Sequence, residues 1–503
     1  MWRAQWLSVA VGCAAAAVTC AVAAALVARR ASARCRWNRA VEVVRGFEKG
    51  CATPTERLQR VVNSLAVEMF AGLASEDASK VRMLLTCVDE LPDGSEEGIY
   101  YAIDLGGTSF RVMKLELGSG SMVINKKVEY RPIAEELTKG SSEDLFDLIA
   151  SALKNFIERE GGKDEGRALG FTFSFPVRQA SISSGSLIRW TKEFSIEEAV
   201  GKDVAQCLNE ALVRNGLNLQ VTALVNNAVG TLAMGHYYDE DTVAAVIIGA
   251  GTNASYIERS AAITKCRGLL TNSDLTVVNV EWGSFRPPQI PLTPYDICFN
   301  VEKKRNHYDQ AFEKMISGVY LGEIARLVLQ GMAQESDVFG SSVNFLSTPF
   351  IFSTPCLAAI REDDSPDLRV VGRVLEEQLK IQDLPLKTRR LVVRICDIVT
   401  RRAARLAAAG IVAILQKMGR DGTLCGTTNV RKIRGEPKRS VVAIEGGLYQ
   451  GYSVFREYLN EAVDEILGDE IASTVSLRVM EEGSGIGAAL LAASYSSTRQ
   501  NSA

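Results

Sequence analysis

Val225-Asn226-Asn227-Ala228-Val229-Gly230-Thr231 is the stretch on which the reading of this chain turns. An apolar run at residues 221–225 leads into it, and a second run at 243–248 ends in Gly249-Ala250-Gly251-Thr252-Asn253. Far upstream a matching unit reads Ile99-Tyr100-Tyr101-Ala102-Ile103-Asp104-Leu105-Gly106-Gly107-Thr108-Ser109-Phe110-Arg111. Twice, then, a strand runs into a glycine-threonine turn and out into another strand. Such turns let backbone N–H groups approach a phosphate with no Cβ in the way. Two of them are suited to hold one nucleotide from both sides, with Asn226-Asn227 between the two halves.

The wider pattern repeats as well. Runs at 99–103, 109–117 and 122–130 read as strands separated by glycine-bearing turns. Leu145, Leu148, Ile149, Leu153 and Ile157 then mark an amphipathic helix over 142–160, followed by a strand at 169–175. The same order recurs after Val243, which predicts two related halves. Residues 39–91 read as mostly helical, with Val61, Leu65, Met69 and Leu73 at helical spacing before a break at Pro92. Residues 310–330 read as one long helix and 387–418 as a buried one. Residues 419–440 read as a polar, basic loop.

Composition excludes several classes. The 503 residues, 47% hydrophobic, suffice for two large cores. A net charge of −3 gives no reason to expect nucleic acid as a partner. The 11 cysteines are scattered without a C-x-x-C pair, as expected of reduced thiols. Only His236 and His307 occur, which gives little basis for a histidine-based metal site. Gly483-Ser484-Gly485-Ile486-Gly487-Ala488 resembles a dinucleotide fingerprint, but too little chain follows to build the βαβ unit it requires.

At the N-terminus, residues 7–28 carry no charge, and Arg29, Arg30, Arg34, Arg36 and Arg39 follow before the first acidic residue, Glu42. The run has about the ~20 residues of a membrane-spanning helix. The positive flank places the remainder of the chain on the cytosolic side. A cleaved signal peptide and an acid-poor transit peptide, with a plastid as the alternative address, are the alternatives.

Taken together, these motifs resemble the hexokinase family of the actin-like ATPase superfold, most closely plant hexokinases and hexokinase-like proteins. The resemblance runs from about residue 45 to about 497, through the segments 104–111, 169–194, 224–231, 249–253, 281–285, 313–322, 446–447 and 483–493. It implies a two-domain α/β, ribonuclease H-like fold. Residues 1–37 would form a membrane anchor and basic flank, 38–96 with 226–477 a large domain, and 97–225 with 478–503 a small one. It also implies glucose or another hexose as ligand, with ATP and Mg²⁺ as cofactors, and an address on the outer mitochondrial membrane.

Residue by residue, the resemblance assigns Ser174, Thr191, Lys192, Asn226, Asn227, Asn253, Glu281 and Glu313 to the sugar, with Lys192 and the Asn227 position also catalytic. Hydroxyls, amides and charged groups are the directional partners a polyol needs. Asp104, Gly106, Gly107, Thr108, Arg111, Gly249, Ala250, Gly251, Thr252, Gly446 and Gly447 fall to the nucleotide, with Asp104 holding Mg²⁺ through water.

The departures matter most. The family motif is Val-Asn-Asp-Thr-Val-Gly-Thr, and its aspartate takes the proton of the attacking sugar hydroxyl. Here Asn227 stands in that place and Ala228 in that of the threonine. An amide oxygen accepts a hydrogen bond but takes up no proton near neutral pH, and a positioned base is worth about 10²–10⁴ in rate. Ala250 replaces a phosphate-donating threonine; Ser109 and Ser284 replace asparagines; Glu445 replaces an aspartate. The sequence therefore predicts a sugar-binding protein with impaired phosphotransfer, suited to sensing or regulation. The alternative is an active hexokinase phosphorylating glucose or fructose at the 6-hydroxyl.

Overall fold

The computed structural model describes residues 2–120, 122–161, 167–191, 194–265, 273–302, 310–336, 338–422 and 438–501. By contacts these divide into two units. One comprises Met1–Ala52, Pro291–Lys304 and Tyr320–Thr400; the other comprises Thr53–Ile290, Arg305–Val319 and Arg401–Ala503. The sequence-based domains cut the chain elsewhere, following the two sheets, and both sheets fall within the second unit.

The first unit is helical. A single helix, Trp2–Cys51, buries Ala40, Val44 and Phe47 at its C-terminal end, where Phe47 meets Tyr295 edge-on at 5.6 Å. Among the described residues no helix is long and apolar enough to cross a membrane. The side chains of residues 2–19, which include most of the uncharged run, lie outside the described set. On the helix Leu321–Ser336 the buried pair Glu323–Arg326 closes at 2.6 Å, and Glu323 also accepts the Phe350 N–H at 2.7 Å. A buried charge pair stays tolerable only when its remaining lone pairs are met in this way.

The second unit carries the strands. In chain order these are β1 (Leu84–Leu85), β2 (Gly98–Leu105), β3 (Ser109–Gly118), β4 (Met122–Pro132), β5 (Arg167–Phe173), β6 (Val177–Ser181), β7 (Ser184–Leu187), β8 (Leu219–Val225), β9 (Thr242–Ile248), β10 (Thr252–Arg259), β11 (Leu275–Asn279), β12 (Ser440–Glu445) and β13 (Val475–Val479). One sheet has the order β4-β3-β2-β5-β8. The other has β11-β10-β9-β12-β13, with β1 added at its edge. In each, an antiparallel meander continues into two parallel strands. The repeat read from the sequence is thus a repeat of topology. β9 is buried at every position, as a central strand covered on both faces must be.

Alternation along β2 sorts the core. Tyr101, Ile103 and Leu105 join the helices Ser142–Arg159 and Val204–Arg214 on one face, whereas Ala102 joins Val229, Leu232, Ala488 and Ala489 on the other. The second face is covered by two helices that occupy equivalent places in the two halves. Asn227–Tyr238 follows β8, and Gly483–Asn501 follows β13. They cross almost backbone to backbone: a Cβ on Gly487 would lie 1.7 Å from the Gly230 carbonyl oxygen. The supposed dinucleotide fingerprint is therefore the start of this crossing helix.

Two readings need correction. The long helix expected over 310–330 is two helices, Ala311–Ile316 and Leu321–Ser336. Ser317 is extended, and Gly318 donates its N–H to the Gly249 carbonyl at 2.7 Å. A side chain on Gly318 would meet that same oxygen at 2.8 Å, so tertiary packing against the turn overrides helix continuation. The helical reading of 39–91 holds for Trp2–Cys51 and Thr55–Ala74 but gives way to extended chain and β1 beyond. The expected loop at 419–440 lies largely outside the described residues.

Candidate functional site

Asn226 is the N-cap of the helix Asn227–Tyr238, where its Oδ1 accepts the Ala228 N–H at 3.1 Å. A backbone donor fixes which end of an amide faces it. The same logic orients Asn253, whose Oδ1 accepts the backbone N–H groups of Ala254 (2.8 Å) and Glu281 (3.0 Å). Its Nδ2 therefore faces three acceptors, Asn226 Oδ1 at 3.0 Å, Asn279 Oδ1 at 2.8 Å and Glu281 Oε1 at 3.0 Å. Asn279 completes the ring by donating to Glu281 Oε1 at 3.1 Å. Strand ends thus bring Asn226, Asn253 and Glu281 together.

Glu281 has a left-handed backbone, φ 54° and ψ 53°. That conformation costs about 1–2 kcal/mol for a residue with a side chain. The Asn253 amide, which grips both the backbone N–H and the carboxylate of Glu281, holds it there. Asn279, 4% exposed, is the site residue that the sequence reading missed. Its signal was an amide ending the apolar strand β11, two residues before Glu281. Asn279→Ala removes one of the three acceptors around Asn253 Nδ2 and one of the two amide donors to Glu281 Oε1. It is expected to destabilise the fold by about 1 kcal/mol, measured by denaturant unfolding. A small recess opens beside this ring, lined by Phe173, Phe175, Leu224 and Thr86 together with Asn226 and Asn279.

Asn227 opens the adjoining helix. Its Oδ1 turns back onto the Ala228 N–H at 2.9 Å, and its backbone carbonyl lies 2.9 Å from the Thr231 hydroxyl. The residue is positioned as a helix N-terminus positions a carboxylate, yet it holds a neutral amide there. Ala228 is fully buried, with its carbonyl accepting from Ser255 Oγ at 2.8 Å.

Both phosphate-type turns sit at equivalent strand ends. In the first, Gly106 N–H donates to the Ser109 carbonyl at 3.0 Å. In the second, Gly249 N–H donates to Gly251 O at 3.0 Å, and Val319 N–H reaches Ala250 O at 3.3 Å. Gly446, with φ 129°, lies so close that a Cβ would fall 2.4 Å from the Ile248 carbonyl; only glycine fits.

Between the turns lies a charged cluster. Asp104, 4% exposed, pairs with Arg111 and accepts from Ser484 Oγ at 2.7 Å. Glu445 accepts the Ser484 N–H at 2.8 Å, lies 3.1 Å from the Ser484 hydroxyl and 2.6 Å from the Thr231 hydroxyl, and faces Arg111 at 3.5 Å. Two carboxylates thus share one guanidinium and one serine. Burial opposes the Arg111 charge, but Asp104 and Glu445 outweigh it and raise its pKa. Burial, and then the neighbouring Asp104, push the Glu445 carboxyl above its ordinary 4.5.

The folded chain therefore binds the Glu445 proton more tightly than the unfolded chain does. The associated stability is present below the ordinary glutamate range and is lost as pH rises through the raised value. Glu445→Gln keeps the neutral form throughout. Its melting temperature is expected to gain on that of the unaltered chain between about pH 4 and about pH 7, as thermal melts at both pH values would show.

Of the other expected residues, Ser174 follows β5, with its N–H on the Leu105 carbonyl at 3.3 Å. Thr191 is half-buried beside Trp190, which stacks on Phe194 at 5.0 Å. Glu313 accepts the Thr252 N–H at 3.2 Å. Gly107 and Thr108 occupy the turn between β2 and β3, and Gly447 begins the short helix Gly447–Gly451. Lys192 lies outside the described residues. Among the described residues no group of three or more metal-ligating side chains is found.

Comparison with known proteins agrees with this geometry. The family described as Hexokinase matches at residues 43–237 and again at 243–494. Hexokinase-10 of Oryza sativa subsp. japonica is 78% identical over 99% of this chain and 98% of its own length. Hexokinase-3 of Arabidopsis thaliana is 52% identical over 97% and 99%. The structure of the Schistosoma mansoni hexokinase complexed with glucose superposes with a TM-score of 0.81 at 30% identity, covering 91% of this chain and 99% of that one. The duplicated sheets, the amide ring beside Glu281 and the paired glycine turns are thus set in a chain that belongs to the plant hexokinase family.

Proposed function

We propose that this chain binds glucose, or a closely related hexose, in the ring of Asn226, Asn253, Asn279 and Glu281, and transfers phosphate to it weakly or not at all. The observation that carries the reading is Asn227. It stands at the helix start beside the intact amide ring, where proton transfer requires a carboxylate. Hexose binding without turnover biases a conformational equilibrium, which is what a sugar sensor or regulator needs.

ATP and Mg²⁺ fit the residues present. An added Cβ on Gly447 meets nothing within 4 Å, so backbone is open to a nucleotide there, and Asp104 offers a carboxylate. Gly106, Gly107 and Thr108 would hold phosphates from one side and residues 249–252 from the other, with Gly446 and Gly447 toward the adenosine. When bound, Mg²⁺–ATP supplies the transferable phosphoryl group. Arg111 already neutralises Asp104, so a metal must compete with a guanidinium for that carboxylate. The alanine at 250 removes a side-chain donor, a loss of about 1.5–3 kcal/mol if it met a phosphate.

The uncharged start of the helix Trp2–Cys51, with its arginine flank, supports attachment to a membrane with the folded units in the cytosol. Alkaline extraction of membranes tests this: release of the chain into the soluble fraction would count against it.

The decisive test of binding is thermal stability with and without glucose. A ligand that binds only the folded form stabilises it by about 2.7 kcal/mol at 100 times its dissociation constant. No shift at high glucose would overturn the reading.

A further inference from the structure

We propose that one face of the helix Trp2–Cys51, carrying Arg29, Arg30, Arg34 and Arg36 and extended by Lys387 from a second helix, binds the headgroups of anionic phospholipids. The proposal rests on the reading of residues 7–28 as a membrane-spanning run, and adds the kind of lipid met where the chain leaves the bilayer.

Helix geometry supplies a ruler. Residues 7–28 rise about 33 Å at ~1.5 Å each, against about 30 Å of hydrocarbon core. Arg29 to Arg36 cover about the next 10 Å, which takes in the headgroup layer of that leaflet. The folded unit begins directly beyond. Residues 20–36 are exposed on every face, Trp37 is half-buried, and Ala40, Val44 and Phe47 are buried. At about 100° per residue, the four arginines fall within about 160° of the helix surface, with Trp37 in the middle of that arc. Lys387 opens the helix Leu386–Lys417, in the same unit, and sets its Nζ 4.5 Å from the centre of the Trp37 ring. A cation far away in sequence thus stands at the foot of the arginine face.

The charges are available to a ligand. Arg36 reaches the Ser32 hydroxyl at 3.5 Å, and none of the five cations has a carboxylate partner among the described residues. The first acidic residue of the chain is Glu42, beyond Trp37. Guanidinium groups bind phosphate oxygens in pairs, and an indole suits the membrane interface. In phosphatidylcholine the phosphate charge is offset by the lipid's own ammonium group; in phosphatidylglycerol it is not. Orientation during insertion also draws on the arginines, but it makes no use of Lys387. The placement of that lysine points to a standing contact with anionic lipid.

The test is flotation of the full chain, translated in the presence of limiting vesicles, at low and at high salt. The vesicles are phosphatidylcholine alone, or phosphatidylcholine with about a quarter phosphatidylglycerol. At low salt the anionic vesicles are expected to carry at least about 10-fold more chain, and screening at high salt to shrink the difference. The combined variant Arg29→Gln, Arg30→Gln, Arg34→Gln, Arg36→Gln is expected to lose the preference, and lysine at the same four positions to keep it. Lys387→Gln is expected to lower it by up to about fivefold, and Lys387→Arg to retain it. Equal binding to the two vesicles would leave the face to an acidic protein and overturns the proposal. So does a preference that survives the combined glutamine variant or is untouched by Lys387→Gln, and so does an equal loss in Lys387→Gln and Lys387→Arg, which marks a merely structural role. Alkaline extraction of the phosphatidylcholine vesicles decides the anchor separately. Release there overturns the membrane-spanning reading, whereas the ratio between the two vesicles decides the headgroup contact.

Discussion

Asn227→Asp is expected to raise glucose-dependent ATP turnover by about 10²–10⁴. The position is prepared for a carboxylate. It opens a twelve-residue helix, and the amide oxygen already accepts the Ala228 N–H at 2.9 Å. An aspartate there needs no rearrangement: it gains the helix N-terminus as a charge partner and gains a proton-accepting oxygen. Thr231, which would flank it one turn on, is in place and bonded to the Asn227 carbonyl. A coupled assay of hexose phosphate formation measures the change. A variant as slow as the unaltered chain would move the defect to the nucleotide side, where Ala250 is the first suspect.

The second large effect is on the fold itself. Gly487→Ala places a methyl 1.7 Å from the Gly230 carbonyl oxygen and 2.9 Å from its Cα. The obstacle is backbone, in the middle of a helix, so no rotamer change relieves it. The two helices must separate, at a cost of about 3 kcal/mol or more. A fall in melting temperature of about 5 °C or more is expected, and an unchanged melt would contradict the crossing. The consequence reaches the site. One helix begins with Asn226 and Asn227; the other begins with Ser484, the shared partner of Asp104 and Glu445. Pushing them apart moves the sugar side away from the phosphate side, so glucose-induced stabilisation should shrink together with the melting temperature.

The strand repeat and the two glycine turns were legible in the sequence because both are local patterns. Period-2 alternation and glycine at turn positions need no knowledge of tertiary contacts. The break at Ser317-Gly318 was not legible as such. Those residues tolerate a helix, and only the Gly249 carbonyl, far off in sequence, ends it. Asn279 was missed for a similar reason. Its partners Asn253 and Glu281 come together only when β10 and β11 pair, with Ser255 opposite Asn279. Glu445 was read only as standing in the place of an aspartate. Its partners lie on three other elements, through Thr231, Arg111 and Ser484, which no local pattern reveals. Asn227 was the opposite case. Its importance came from a family motif, and the structure adds that the neutral side chain sits where a carboxylate would be stabilised.

The central claim is that the hexose site is intact and the proton acceptor is missing. The rate of hexose phosphate formation by the unaltered chain, at saturating glucose and Mg²⁺–ATP, tests it most directly. It should be read beside the Asn227→Asp variant, after mass spectrometry has confirmed that Asn227 is not deamidated. The account predicts that glucose raises the melting temperature while the unaltered chain forms product at least about 100-fold more slowly than the variant. Equal and substantial rates from the two chains would contradict it and require a different group to accept the proton.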